Sequence, residues 1–301
     1  MSDNGHYQTV TDKKLEWKRI VIFCLFAYGI AWVFWIGLFS KYGEFAEWAS
    51  NPRLSFLALM LMFPPAIANV LTRFITKEGW GESYLHLHIK ENIKYYLAGA
   101  FVPLLYGLIS GFVASFVFGD GFSMKAMLEA SGGAAGLICT LLTGVSRSSA
   151  IAFYTFGEEF GWRAYLYPKL EKLIGTPGAL VVGGIIWGLW HAPITIQGHN
   201  FGTDYWGYPW LGILLMVIYC IFVGAFLMWI TKKTGSVYPA SIAHSVNNNC
   251  VFMAILLVAP VVVEKAETIN MLHLHAVHMS ITCAVGLVFF ILLTAQKKKL
   301  S

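Results

Sequence analysis

Apolar residues run through this chain in stretches of about twenty or more, nearly free of charge, and a water-soluble core has no room for so many of them. Backbone placed in hydrocarbon must satisfy its own hydrogen bonds, which stretches of this length do as helices. The runs fall at residues 20–40, 54–76, 95–118, 134–168, 177–197, 209–231, 235–259 and 274–295. They predict an all-α fold, a polytopic membrane protein of about eight transmembrane helices around a polar intramembrane cavity. A hydrophobic content of 57%, a charged content of 12% and a mean hydropathy of +0.63 exclude an ordinary soluble domain.

No long linker, internal repeat or low-complexity tract divides the chain. It reads as a polar tail over 1–19, a single transmembrane helical domain over 20–295 and a basic tail over 296–301. The first apolar run is longer than the core of a signal peptide, so it reads as a retained anchor. Cys24, Cys139, Cys220, Cys250 and Cys283 stand in apolar segments at neither metal nor disulfide spacing and read as small core residues. The run 134–168 is too long for one straight crossing, and Gly144, Arg147, Ser148, Ser149 and Gly157 suggest a break, a tilt or a protruding end within it.

Loop charge tests this arrangement, because Lys and Arg accumulate on the cytoplasmic side of short loops. With eight crossings, fifteen Lys and Arg fall on one side, including Lys18, Arg19, Arg73, Lys169, Lys172, Lys232 and Lys297 to Lys299. Only Lys41, Arg53, Lys125 and Lys265 fall on the other. Both termini are therefore expected in the cytoplasm, and the net charge of +5 calls for no nucleic-acid partner.

Glu158 and Glu159 are the only acids in these runs, and ionisable groups in hydrocarbon are costly enough to imply function. Counting helical rise from Pro168, Pro177 and Gly235 puts Glu158, His191, His244 and Asn248 at depths of roughly 15, 21, 14 and 20 Å. Four polar side chains from three helices thus converge in one layer. Glu159 and Arg163 are i,i+4 neighbours that can pair, whereas Glu158 is turned away over Trp162. A structural alternative pairs both glutamates with Arg163 and Arg147. His244 and Asn248 form a second i,i+4 couple, either donors to a cavity or interhelical glue. His191 follows Trp187 by one turn and precedes Pro193, which frees the carbonyl of Leu189 and loosens the helix there.

These residues resemble the CAAX-protease and bacteriocin-processing (CPBP, Abi) family of intramembrane proteases. "EEFGWR" at Glu158 to Arg163 looks like its EExxxR motif, Trp187 to His191 its aromatic-xxx-His motif, and His244 to Asn248 its HxxxN motif. The resemblance implies an intramembrane glutamate-type endopeptidase. Glu158 would be the general base, His191 would hold and activate water, and His244 with Asn248 would donate to the oxyanion. By the same resemblance Glu159, Arg163 and Trp187 would support that set, with no cofactor. The substrate implied is a membrane-associated peptide or protein, lipidated and CAAX-like or leader-type. "GLWHAP" is similar to bacterial members, which implies a multi-pass protein of the bacterial cytoplasmic membrane.

Other proteolytic chemistries lack their residues: no HExxH is present, and Asp3, Asp12, Asp120 and Asp204 all fall outside the runs. A zinc site built from Glu158, His191 and His244 is chemically open, since two imidazoles and a carboxylate are a known ligand set. His273, His275 and His278 form a further metal candidate or an interfacial group, and His86 and His88 sit in an interfacial segment. Gly184 and Gly188 favour close helix packing, internal or between copies. The alternative from a different class is a non-catalytic membrane protein, binding, immunity or regulatory, that uses the same cavity; a small transporter fits less well, since the polar residues are confined to one layer.

Overall fold

The computed structural model describes residues 3–43 and 51–295, so the basic tail at 296–301, with Lys297 to Lys299, lies outside the described residues, as does the side chain of Arg53. Helices α1 (Asp3–Tyr42), α2 (Pro52–Met60), α3 (Pro64–Ile75), α4 (Ile89–Phe118), α5 (Met124–Ala130) and α6 (Gly133–Ala150) make up the first half. Then come α7 (Phe153–Gly161), a π-helical turn over Trp162–Leu166, α8 (Tyr167–Trp190) and the short α9 (Ala192–Ile196). α10 (Trp210–Thr234), α11 (Tyr238–Val258), α12 (Val261–Glu264) and α13 (Met271–Ala295) complete the chain. Among the described residues the only strand-like feature is an isolated antiparallel bridge between Leu85, beside His86, and Ser236.

Among the described residues six helical stretches can cross a bilayer by length and composition, or seven if α5 and α6, bent by 68°, form one broken span. The expected count of about eight is not confirmed, because Ala152–Trp190 counts once although it covers parts of two expected runs, and the other differences have local causes. The run 54–76 divides into α2 and α3, because Pro64 and Pro65 supply no N–H to an upstream helix. The run 134–168 breaks at Ile151 and Ala152, between α6 and α7. The polar stretch before residue 20 continues as the first part of α1.

The 39-residue stretch Ala152–Trp190 is a hairpin. Gly175 has φ 73° and ψ 173°, a backbone state that side chains disfavour, and the chain reverses there. Trp187 Nε1 donates to Glu158 across 29 residues, which a straight helix would hold about 44 Å apart. The expected division between the runs ending at 168 and beginning at 177 therefore stands on either side of a real turn.

Charges expected to share a side do gather in one layer. Lys169 Nζ donates to Glu16 (2.8 Å) and Glu78, Arg19 pairs with Glu16 and with Glu78 (3.4 Å), and Lys232 reaches Glu171 at 2.6 Å. Lys169 lies eleven residues from Glu158, about 16 Å of helix, so the acidic motif sits well inside the apolar part of the bundle.

Small residues bring the helices together. On α4, a Cβ at Gly99, Gly107 or Gly111 would meet backbone of α11 or of Pro239 near its start at 2.6–3.2 Å, a spaced small-residue row of the kind that lets membrane helices touch. Gly184 and Gly188 likewise lie against Ile221 and Val217 of α10, so this pair serves internal packing. Gly111→Leu, whose first side-chain atom would stand 2.7 Å from Val258 Cβ, is expected to destabilise the bundle by about 1–3 kcal/mol. Gly29→Leu, with nothing within 4 Å, is expected to change little; unfolding midpoints of both proteins in detergent check the contrast.

Candidate active site

The site is built where α7, the far arm of the hairpin and α11 meet. Glu158, His191, His244 and Asn248 all line one cavity of about 420 Å3, together with Trp187. The expected convergence of three helices is therefore present. Glu158 and Glu159 are 2% and 0% exposed, which makes the identity of their partners decisive.

The two glutamates have different partners. Glu159 Oε1 accepts from Arg163 Nη1 at 3.1 Å and from His244 Nδ1 at 2.7 Å. Glu158 Oε2 accepts from the indole N–H groups of Trp187 at 2.7 Å and Trp162 at 3.3 Å. Neutral donors orient the Glu158 carboxylate without neutralising it, and its Oε1 has no hydrogen-bond partner among the described residues. Arg147 is exposed and takes no part, so the alternative in which both acids pair with Arg147 and Arg163 does not hold.

Arg163 is stacked as well as paired. Its guanidinium lies 3.9 Å from the Trp187 ring centroid and 5.0 Å from that of Tyr167, a cation–π arrangement strengthened by burial. Arg163 Nε and Nη2 and Glu159 Oε2 have no hydrogen-bond partner among the described residues, so the aromatic faces carry part of the compensation for that charge. Trp187 thus does two jobs: its edge orients Glu158 and its face covers Arg163.

The histidines present defined nitrogens. His191 Nδ1 lies 2.9 Å from the carbonyl oxygen of Trp187, which can only accept, so Nδ1 donates and Nε2 carries the lone pair of the neutral ring. Helix α8 ends at this point, because Pro193 cannot continue its bonding, and the loosened backbone sets His191 on the cavity wall. His244 commits Nδ1 to Glu159 and leaves Nε2 available. The Trp187 ring stands between them, 6.0 Å from His191 and 5.5 Å from His244 by ring centroids.

Asn248 has its side-chain oxygen occupied by Asn247 Nδ2 at 3.0 Å, which leaves its amide N–H groups uncommitted. Sequence reasoning did not single out Asn247, Tyr106 or Tyr219, whose hydroxyls converge on Asn247 Oδ1. The run of three asparagines at 247–249 in a membrane helix was the available signal. It also gave Trp162 no donor role. His199, His275 and His278 line the same cavity, while His273 is exposed, so the trio at 273–278 is split between faces. Burial pushes the His199 imidazole down to about 4.

No three or more His, Cys, Asp and Glu side chains among the described residues are grouped so as to hold a metal ion, and the set Glu158, His191 and His244 is not assembled as ligands. Replacing Glu159 by Ala is expected to leave Arg163 buried and unpaired and to cost about 3–5 kcal/mol, read as a fall in unfolding midpoint.

Residues 141–250, which contain all three motifs, match the model of the family described as type II CAAX prenyl endopeptidase Rce1-like. Over 93 residues the chain is 28% identical to CAAX prenyl protease 2 of Methanococcus maripaludis, a match covering 30% of this chain. The matched region spans about a third, 34%, of that relative's length. Both likenesses support the resemblance to the CPBP family.

Proposed function

We propose that the chain is an intramembrane endopeptidase of the glutamate type, hydrolysing a peptide bond in a membrane-associated peptide or protein. The observation that carries this reading is the asymmetry of the glutamates: Glu159 is held by two cationic or potentially cationic partners, while Glu158 keeps one oxygen uncommitted on the cavity wall.

A water between Glu158 Oε1 and His191 Nε2 would have two acceptors for its two protons, which directs a lone pair at a substrate carbonyl. Glu158 takes one proton as the oxygen attacks. The tetrahedral oxyanion receives N–H donation from Asn248 and from Nε2 of His244, a donor there once that nitrogen carries a proton, while Glu159 holds the ring through Nδ1. Glu158 then returns its proton to the leaving nitrogen, and the carbon–nitrogen bond breaks to give a carboxylic acid and an amine, the acid then passing its proton to the amine. Two donors fixed in a cavity of low dielectric act more strongly than they would in water. No metal enters this scheme.

The similar family is described as a CAAX prenyl endopeptidase and the similar protein as a CAAX prenyl protease, so a lipidated C-terminal tail is the first substrate class to offer, and a leader-type peptide the second. The layer of charge around Lys169 suits a peptide that enters from one membrane face while its apolar portion stays in the bilayer. On this account that face is cytoplasmic.

The test uses the full-length protein in proteoliposomes with farnesylated and unmodified peptides, products being read by mass spectrometry. Cleavage is expected to survive a strong chelator, to be lost in Glu158→Gln and to fall about 100- to 1000-fold in Asn248→Ala. Loss on chelation in wild type supports zinc chemistry instead, and a well-folded wild type that cuts neither peptide class supports a binding or regulatory role.

A further inference from the structure

The donor role given to Asn248 raises the question of what aims it. Asn248 is exposed on the cavity wall at the third turn of α11, and an unrestrained carboxamide there would present oxygen or nitrogen with similar ease. An oxygen turned towards a developing oxyanion would repel it.

The surroundings remove that freedom. Asn247 is 8% exposed and Tyr106 3% exposed. The Tyr106 hydroxyl donates to Asn247 Oδ1, and the Tyr219 hydroxyl donates to the same atom at 2.9 Å. Two phenols on one oxygen fix the Asn247 carboxamide with its Nδ2 pointing away from them. That Nδ2 donates to Asn248 Oδ1 at 3.0 Å, so the Asn248 amide nitrogen is the end left over. The relay is held from three helices: Tyr106 stands on α4, Tyr219 on α10 and both asparagines on α11. Both phenol rings also pack on the His278 ring, with centroids 5.9 and 6.1 Å away, which limits their swing.

The small-residue row on α4 makes the relay geometrically possible. Gly107, next to Tyr106, lies against the backbone of Val251, one turn beyond Asn247. Only because those two backbones nearly touch does a phenol on α4 reach a carboxamide on α11.

We infer that Asn247 is a positioning residue, anchored by Tyr106 and Tyr219, that sets the Asn248 amide nitrogen towards the oxyanion, an inference resting on the endopeptidase reading above. It acts through Asn248 and touches no reacting atom. Its contribution therefore lies in the chemical step: donation to an oxyanion matters in the transition state and hardly in the ground state.

The experiment is a mutant cycle on the full-length enzyme with the peptide that wild type cleaves, measuring kcat and KM separately. Tyr106→Phe and Tyr219→Phe singly are expected to lower kcat only a few-fold, because the second phenol still holds Asn247. The double Phe variant and Asn247→Ala are expected to lower kcat about 10- to 100-fold with KM within about twofold. In an Asn248→Ala background the same changes are expected to lower kcat less than twofold further, since the group they aim is gone. Unfolding midpoints of the Phe variants, which keep ring volume, check that the fold persists. Full additivity with Asn248→Ala, or a loss expressed in KM, would overturn the relay. So would unchanged kcat in the double Phe variant, even where Asn248→Ala impairs the enzyme and the endopeptidase reading holds. A wild type that cleaves nothing defeats that reading and this inference together.

Discussion

A carboxylate buried in hydrocarbon must be compensated, and Glu159 is the point on which the centre of this protein turns. Arg163, one helical turn away, and His244, on another helix, both donate to its Oε1. That single oxygen ties the acidic motif helix to α11 and fixes the imidazole ring on the cavity wall. Arg163 in turn lies on Trp187, whose indole N–H holds Glu158. The neighbouring acid is thereby oriented without being neutralised. Two adjacent residues of one type acquire opposite characters because a helix turns them by about 100° into different surroundings.

The bundle exists to make those contacts close. The reversal at Gly175 returns Trp187 and His191 to the level of Glu158, and the small-residue faces of α4 and α8 let α11 and α10 approach to backbone contact. Helix α1 seals the hairpin: Trp190 Nε1 donates to the carbonyl of Ala27 and Trp32 Nε1 to that of Trp190. The second bond occupies the carbonyl of Trp190 at the end of α8, which hydrocarbon could not satisfy. At the charged layer, Glu16, Arg19, Glu78 and Lys169 join α1, the segment after α3 and the start of α8. The cavity is thus shaped by apolar close packing in the bundle and pinned at one end by ion pairs.

Much of the site was legible in the sequence because its chemistry is rare in such a setting. Acids and histidines in apolar runs stand out, and i,i+4 spacing on a helix is enough to place Glu159 beside Arg163 and Glu158 beside Trp162. The helix ends were less legible: the Pro64–Pro65 pair marked the break in 54–76, but hydropathy alone bridged it. The helical character of the polar stretch before residue 20 was hidden, since a helix end leaving the bilayer carries no apolar signal. Contacts made across the fold left no periodic trace at all. Glu159 and His244 are 85 residues apart, and Tyr106 and Asn247 are 141 apart, so their meeting depends on packing that only three dimensions reveal.

The central claim is that Glu158 activates water and does not itself attack the substrate. A single turnover in heavy-oxygen water, with enzyme in excess over a cleavable peptide, tests this most directly. The account predicts one solvent-derived oxygen in the new carboxyl group of every product molecule from the first turnover onward, and no label retained in the enzyme. Unlabelled first-turnover product, with label appearing in the Glu158 carboxylate, would reveal an acyl anhydride on Glu158 and contradict the account.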